Sequence, residues 1–500
     1  MRGIDTPLRK LRKQVFTGIA KLAYSGEDIK RIEEIPYRIT PGDVPIYRES
    51  IYRERAIASE RLRLAMGMSL RPEDKPVHIT QGIEESDIAE KYYEPPLMQV
   101  IPSACNACEH NVYEVSDQCK GCVAHPCMEV CPKGAISMVD GRSHIDQSKC
   151  IKCGKCKQHC PYDAIAWKRR PCADACGVNA IVSDDLGRAK IDNDKCVSCG
   201  MCMVSCPFGA IADKSQIFQL IRAMQTGKKV IAEIAPAFAG QFGDAATPGR
   251  VKAALLDLGF ADVYEVALGA DMGAMAEAKH YVEKVVSGEL PFLLTSCCPS
   301  WSVLAKKYFP EMISNISNEL TPMVATARTI KEKHPDALVV FIGPCASKKL
   351  EASRTSVRSD VDFVITFEEL NGMFAAKEID FDIMPEDEME DATGAGRGYG
   401  VAGGVAAAIE KCIQEYYPGT EVKIEHAEGL ADCKKMLMLA KAGKKNGCLI
   451  EGMGCPGGCV AGAGTILQVP KAAAEVRKYS ASAKQQIPEE ENWQGGSEHE

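Results

Sequence analysis

Five hundred residues exceed what one compact core holds, so two or three domains are expected. Sixty basic against 68 acidic side chains give a net charge of -8, which supplies no basic face for nucleic acid, and no run of about 18 apolar residues encodes a membrane span. The 24 cysteines sit in a long chain without an export signal, which argues against a disulfide scaffold, and nine histidines are too few for mainly mixed Cys/His zinc sites.

Residues 1–100 carry no cysteine and no assignable chemistry. Their first segment is basic (Arg2, Arg9, Lys10, Arg12, Lys13) and sets Leu8, Leu11, Val15, Ile19 and Leu22 at helical spacing. Such a helix either targets a membrane surface or docks on the protein itself; docking is the expectation, because no apolar core of a secretory signal and no small-residue cleavage site follow.

Residues 101–213 hold 16 of the 24 cysteines and an internal repeat. PCMEVCPKGAI (126–136) recurs as PCADACGVNAI (171–181), and KCIKCGKCKQHCPYDAI (149–165) as KCVSCGMCMVSCPFGAI (195–211), so one module is duplicated. Cys150, Cys153, Cys156 and Cys160 follow C-x2-C-x2-C-x3-C-P, as do Cys196, Cys199, Cys202 and Cys206. That spacing wraps three thiolates around one corner of a 4Fe-4S cubane and sends the fourth to a neighbouring cluster, whereas structural zinc favours two separated knuckles. Cys119, Cys122, Cys127 and Cys131 form a looser variant. Cross-ligation then joins Cys119, Cys122 and Cys127 to Cys160, and Cys150, Cys153 and Cys156 to Cys131. In the duplicate, Cys196, Cys199 and Cys202 join Cys176, while Cys105 and Cys108 supply the missing pair for Cys172 and Cys206. Sixteen thiolates thus make four clusters, a wire for electrons.

From about residue 214 to 480 apolar runs alternate with helical patterns, as in α/β domains. Four runs end in unusual loops, at Ala235–Pro236–Ala237, at Cys297 and Cys298, at Cys345 and Lys348, and at Cys455 and Cys459. Loops beyond the carboxyl ends of strands converge in open α/β folds, so five cysteines and a lysine are expected at one crevice. Cys412, Cys433 and Cys448 lack a motif and read as packing residues. GAGRGYG lacks a preceding apolar strand, which argues against a dinucleotide site. The polar tail, 481–500, reads as disordered.

TSCCPSW, GPCASKKLE and EGMGCPGGCVAGAG, in this order, resemble the three motif segments of the [FeFe]-hydrogenases. The similarity runs through GADMGAMAEA, NISNELTP and GAGRGYGVAGGVAAAIEK and covers most of 214–465; Ser300, Gly343 and Ala463 are more similar to the divergent group B branch. The resemblance implies a multidomain α+β and α/β chain: an extension (1–100), a duplicated ferredoxin-like 4Fe-4S domain (101–213) and an α/β iron-hydrogenase catalytic domain (214–480). It implies an H-cluster, a 4Fe-4S cubane joined to a di-iron unit with CO, CN and azadithiolate, in a cytoplasmic enzyme that interconverts protons and H2.

Carried over, Cys298, Cys345, Cys455 and Cys459 hold the cubane, with Cys459 bridging, and Ala235, Pro236, Lys348 and Met453 contact the di-iron unit. Cys297 passes protons, its thiol brought towards neutrality and pointing away from the ligand beside it. Glu277 and Ser317 continue the relay, His280 and Lys284 stand where the family has an acid and an arginine, and Glu351 is a structural partner. Met323, Ala237 and Gly343 replace larger or polar residues and remove hydrogen bonds and packing. The implied partners are ferredoxin or a similar low-potential carrier and the hydrogenase maturation proteins. The alternatives are an H2 or redox sensor, an iron–sulfur assembly protein without turnover, and a ferredoxin-fed reductase of another small substrate.

Overall fold

The computed structural model describes residues 4–86, 95–389 and 392–489; of the tail expected to be disordered, 481–489 are ordered, the Gly394 amide donating to the Gln485 carbonyl at 2.8 Å, and 490–500 lie outside the described residues. The second half is built on two parallel sheets. In the first, Asp262–Glu265, Val230–Ile234, Leu338–Gly343 and Phe363–Thr366 lie in that spatial order. In the second, Phe292–Leu294, Cys448–Met453 and Lys423–Glu428 lie side by side. Their central strands, VIAEI and CLIEGM, are buried throughout, because helices cover both faces of a parallel sheet. Every functional loop read from the sequence follows the carboxyl end of one of these strands, and the loops of both sheets meet. The sequence showed one crevice; it did not show that two sheets share it.

The cysteine-rich region has the local form of two small ferredoxin-like units. Each carries an antiparallel hairpin, Ile136–Val139 with Arg142–Ile145 and Ile181–Ser183 with Ala189–Ile191, beside short helices at the cysteine motifs. This mixed architecture, cluster units followed by an α/β domain, is the one expected.

The amino-terminal helix Pro7–Ser25 docks on the protein. Thr6 caps it, and Val15, Phe16, Ile19 and Leu22 are buried against the helices Ile217–Gln225 and Phe367–Ala376. At Gly372 an added Cβ would fall 2.5 Å from the Cβ of Phe16, so only glycine permits this approach. Burial of such side chains is worth about 1.5–3 kcal/mol each. Arg12 pairs with Glu368 at 2.5 Å, and the buried Lys349 ammonium lies 2.7 Å from Asp213 and 2.9 Å from Glu369. The extension therefore shares the catalytic core, and the end of the cysteine-rich region is tied into it by a buried charge cluster.

Candidate active site and cluster-binding residues

Strand pairing in the second sheet ends at Leu294, and Cys297 and Cys298 lie beyond it on a loop. Alternation therefore does not carry that far. Both residues line one cavity. Cys298 caps the helix Pro299–Tyr308 and accepts a hydrogen bond from the Gly454 amide at 3.4 Å. Cys345 caps the helix Ala346–Ala352, and both cysteines thus sit at the positive ends of helices. Cys455, Cys459, Ala235, Pro236, Ala237, Met323, Lys348 and Met453 complete the same wall.

The glycines here serve backbone packing. A Cβ on Gly458 would fall 2.4 Å from the Ala402 nitrogen, and one on Gly462 would fall 2.4 Å from the Pro344 oxygen. At Gly343 the ring of Phe341 already fills the place of a side chain, 2.4 Å from an added Cβ. This corrects the expectation that packing is lost there: an aromatic neighbour replaces it.

Lys348 is buried with its ammonium 2.7 Å from Glu351, in an orientation that makes no hydrogen bond. Glu351 in turn accepts from the Thr321 hydroxyl at 2.8 Å. Glu233, on the first sheet's inner strand, is fully buried with neither oxygen partnered; burial pushes its carboxyl up, partly opposed by Lys348.

Glu277 is buried at the last turn of the helix Ala267–His280 and accepts from the Ser296 amide at 3.2 Å and hydroxyl at 3.3 Å. Burial raises its carboxyl to about 7, while hydrogen bonds from Ser317 and Ser296 oppose the shift and the charge of Glu319 adds to it. Burial, and then Glu277, push the Cys297 thiol upward and away from neutrality, because a thiolate there would lose its hydration. That reverses the expected direction. His280 is lowered, by burial and by Lys284, which itself pairs with Glu289 at 2.7 Å.

Two residues near this path were not singled out from the sequence. Glu319 is half-buried, donates its amide to the Ser317 hydroxyl at 3.3 Å and accepts from the Ser296 hydroxyl through its carbonyl at 3.0 Å. Tyr399 lines the cavity with a buried hydroxyl that has no partner. Nothing in their spacing marks them; their meaning lies in where the fold puts them.

In the cysteine-rich region, Cys105, Cys108, Cys172 and Cys206 line one pocket, bringing together the set that sequence spacing joined least directly. Cys176, Cys196, Cys199 and Cys202 neighbour one another, and Cys199 also neighbours Cys345 and Cys455. Cys150, Cys153 and Cys131 surround Cys156. Cys119 and Cys127 meet at Ser143, and Cys127, Cys131, Cys150, Cys156 and Cys160 share one apolar cluster. The second unit abuts the crevice: Ser347 donates towards the carbonyls of Val197 and Ser198 at 3.1 and 3.0 Å, and Gly200 packs on Ala463. Cys412, Cys433 and Cys448 are buried; Cys433 packs in one apolar cluster with Cys298, and its thiol donates to the Met453 carbonyl at 3.4 Å. Among the described residues no three His, Cys, Asp or Glu side chains close on a point that a single metal ion could occupy.

A thiol-lined crevice between two parallel sheets, reached by repeated cubane-type cysteine motifs, defines an iron–sulfur redox protein. A family profile described as "Iron only hydrogenase large subunit, C-terminal domain" matches residues 228–463, and a "4Fe-4S binding domain" profile matches 143–166 and 189–212. The chain is 30% identical over 407 residues to iron hydrogenase 1 of Clostridium pasteurianum, covering 70% of each chain. It is 31% identical over 372 residues to the periplasmic [Fe] hydrogenase large subunit of Nitratidesulfovibrio vulgaris, covering 64% of this chain and 85% of that one. The chain belongs to the iron-only, or [FeFe], hydrogenase family. A shorter match, 37% over 99 residues, covers 20% of this chain and 21% of the cytosolic Fe-S cluster assembly factor NAR1 of Kluyveromyces lactis.

Proposed function

We propose that the protein is a hydrogenase of the divergent group B kind, catalysing 2 H+ + 2 e- = H2 at an H-cluster. The observation that carries this reading is the meeting, in one cavity, of Cys298, Cys345, Cys455 and Cys459 with Cys297 and with Lys348, whose buried ammonium pairs with Glu351 but makes no hydrogen bond. The donor set fits the group: soft thiolates suit iron–sulfur clusters, and a buried ammonium without a hydrogen bond suits an anionic ligand. When bound, the H-cluster supplies the two-electron chemistry and the site at which protons and H2 interconvert.

The chain's own residues do the rest. Cys298, Cys345, Cys455 and Cys459 would hold the cubane; Lys348, held by Glu351, would set its positive charge toward an anionic part of the cofactor, and Ala235, Pro236 and Met453 shape the apolar wall. Cys297 carries the proton between the cavity and Glu277. Glu277 titrates near the pH of the cell and exchanges its proton with Ser317. The apolar lining keeps bulk water from the crevice.

Residues 101–213 carry four 4Fe-4S clusters with the pairing read from the sequence, and the set around Cys199 is the last step before the crevice. Electrons enter at the other end. Cys153 is the one exposed cysteine of the 24, and exposed Lys152, Lys155 and Lys157 surround it, with no ion-pair partner among the described residues. This basic collar fits an acidic, low-potential carrier such as a ferredoxin. The extension, 1–100, clamps the cluster region to the catalytic domain, 214–480. Maturation proteins install the di-iron unit. Among the described residues no helix is long and apolar enough to cross a membrane. We place the protein in the cytoplasm, where reducing conditions keep cysteines available as cluster ligands; the relative named periplasmic marks the alternative.

The match to NAR1 favours a second reading, an assembly factor or sensor without turnover. Infrared spectroscopy after anaerobic maturation separates them: CO and CN bands are expected, and a spectrum without them overturns the hydrogenase reading.

A further inference from the structure

Among the described residues the glycine-rich stretch 394–404 follows no strand directly; its glycines let the chain thread against other backbone. A Cβ on Gly396 would fall 2.2 Å from the Ala267 oxygen, and one on Gly404 would fall 2.1 Å from the Gly398 oxygen. Arg397 locks the turn by a two-pronged contact with Glu265 at 2.8 and 2.5 Å, and the Thr393 hydroxyl bonds Asp271 at 2.6 Å. This scaffolding holds Tyr399, which belongs to one buried cluster with Ala270, Ala274 and Met453, against which the partly buried Cys297 packs. Tyr399 lines the cavity, and its hydroxyl is buried and meets no protein partner. A buried O–H without a partner is costly, and a phenylalanine would fill the same space without that cost. Burial also pushes the phenol well above its usual range, so it stays a donor at any working pH.

We propose that Tyr399 is a further cofactor-binding residue, whose hydroxyl donates a hydrogen bond to the group held in this cavity, on the side where Cys297 lies. It is the uncharged counterpart of Lys348. Lys348 stands on the helix Ala346–Ala352 that follows the first sheet's Leu338–Gly343 strand, and Tyr399 stands at the glycine turn. The proposal rests on the hydrogenase reading and extends it to a residue that the motif segments do not reach.

Tyr399→Phe removes one oxygen and leaves the packing. Wild type and variant are matured anaerobically, and each is compared by infrared difference spectroscopy with its unmatured form, using ring-13C-tyrosine. In the wild type, maturation should shift a tyrosine C–O band, and that change should vanish in Tyr399→Phe. At least one CO or CN band of the variant should move while its melting temperature and iron content hold. Cofactor bands that coincide in the two proteins, with no tyrosine band responding to maturation, overturn the proposal while leaving the hydrogenase reading intact. A wild type without CO or CN bands overturns both.

Discussion

Glu277 gives the relay its sharpest physical test. Its carboxyl is raised from 4.5 to about 7 by burial, so the folded protein must keep a proton that the unfolded chain releases. Stability from this group is therefore intact below about pH 4.5 and is lost as pH rises through about 7, on the order of 3 kcal/mol in all. Glu277→Gln should gain stability relative to the parent between pH 5 and 7 and hold the gain above; a pH-independent difference in melting temperature would contradict this. Glu319 adds its negative charge to the shift, so Glu319→Gln should lower the titration point of Glu277, read from the carboxylic acid band in infrared titration. Turnover should fall by about a hundredfold or more in Cys297→Ala, with cluster content unchanged. The cysteines were legible because glycine and proline flank them in spaced motifs. Tyr399 and Glu319 were not, because a lone side chain in a polar or glycine-rich stretch acquires a role only from the packing around it.

Helices and loops carry the next level of the account. The sequence marked the apolar stripe of Pro7–Ser25, and Leu22 and Ile19 are buried as that stripe requires. Its docking partner was hidden, because Gly372 receives Phe16 from more than 350 residues away. Phe16→Ala should cost about 3–5 kcal/mol and expose the helix to limited proteolysis before the rest of the chain unfolds. The glycine turn after Met453 was legible as a cysteine loop, but the reason for its glycines was not: they approach the backbone of Ala402 and Pro344. Gly458→Ala, at φ 84°, should lose the iron of the crevice and keep that of residues 101–213, as iron analysis of the purified variant would show.

For the whole molecule, repeats and texture delimited a cluster region and an α/β half, because cysteine spacing and apolar runs are local signals. Long-range placement was not local: the sequence joined Cys105 and Cys108 to Cys172 and Cys206 only as the pair left over, and the pocket the four residues line brings them together. The same scale governs electron entry. Reversing Lys152, Lys155 and Lys157 to Glu should slow reduction by an acidic iron–sulfur carrier at low salt, by tenfold or more, and leave reduction by a small viologen unaffected. Equal rates with the protein carrier would place the port elsewhere.

Catalysis itself is tested most directly by isotope exchange. The matured protein, supplied with D2 in ordinary water, should release HD and H2, because heterolytic cleavage at the crevice passes one deuteron through Cys297 to solvent. A protein that shows its CO and CN bands yet returns only D2 would contradict the account and leave an iron–sulfur protein without turnover.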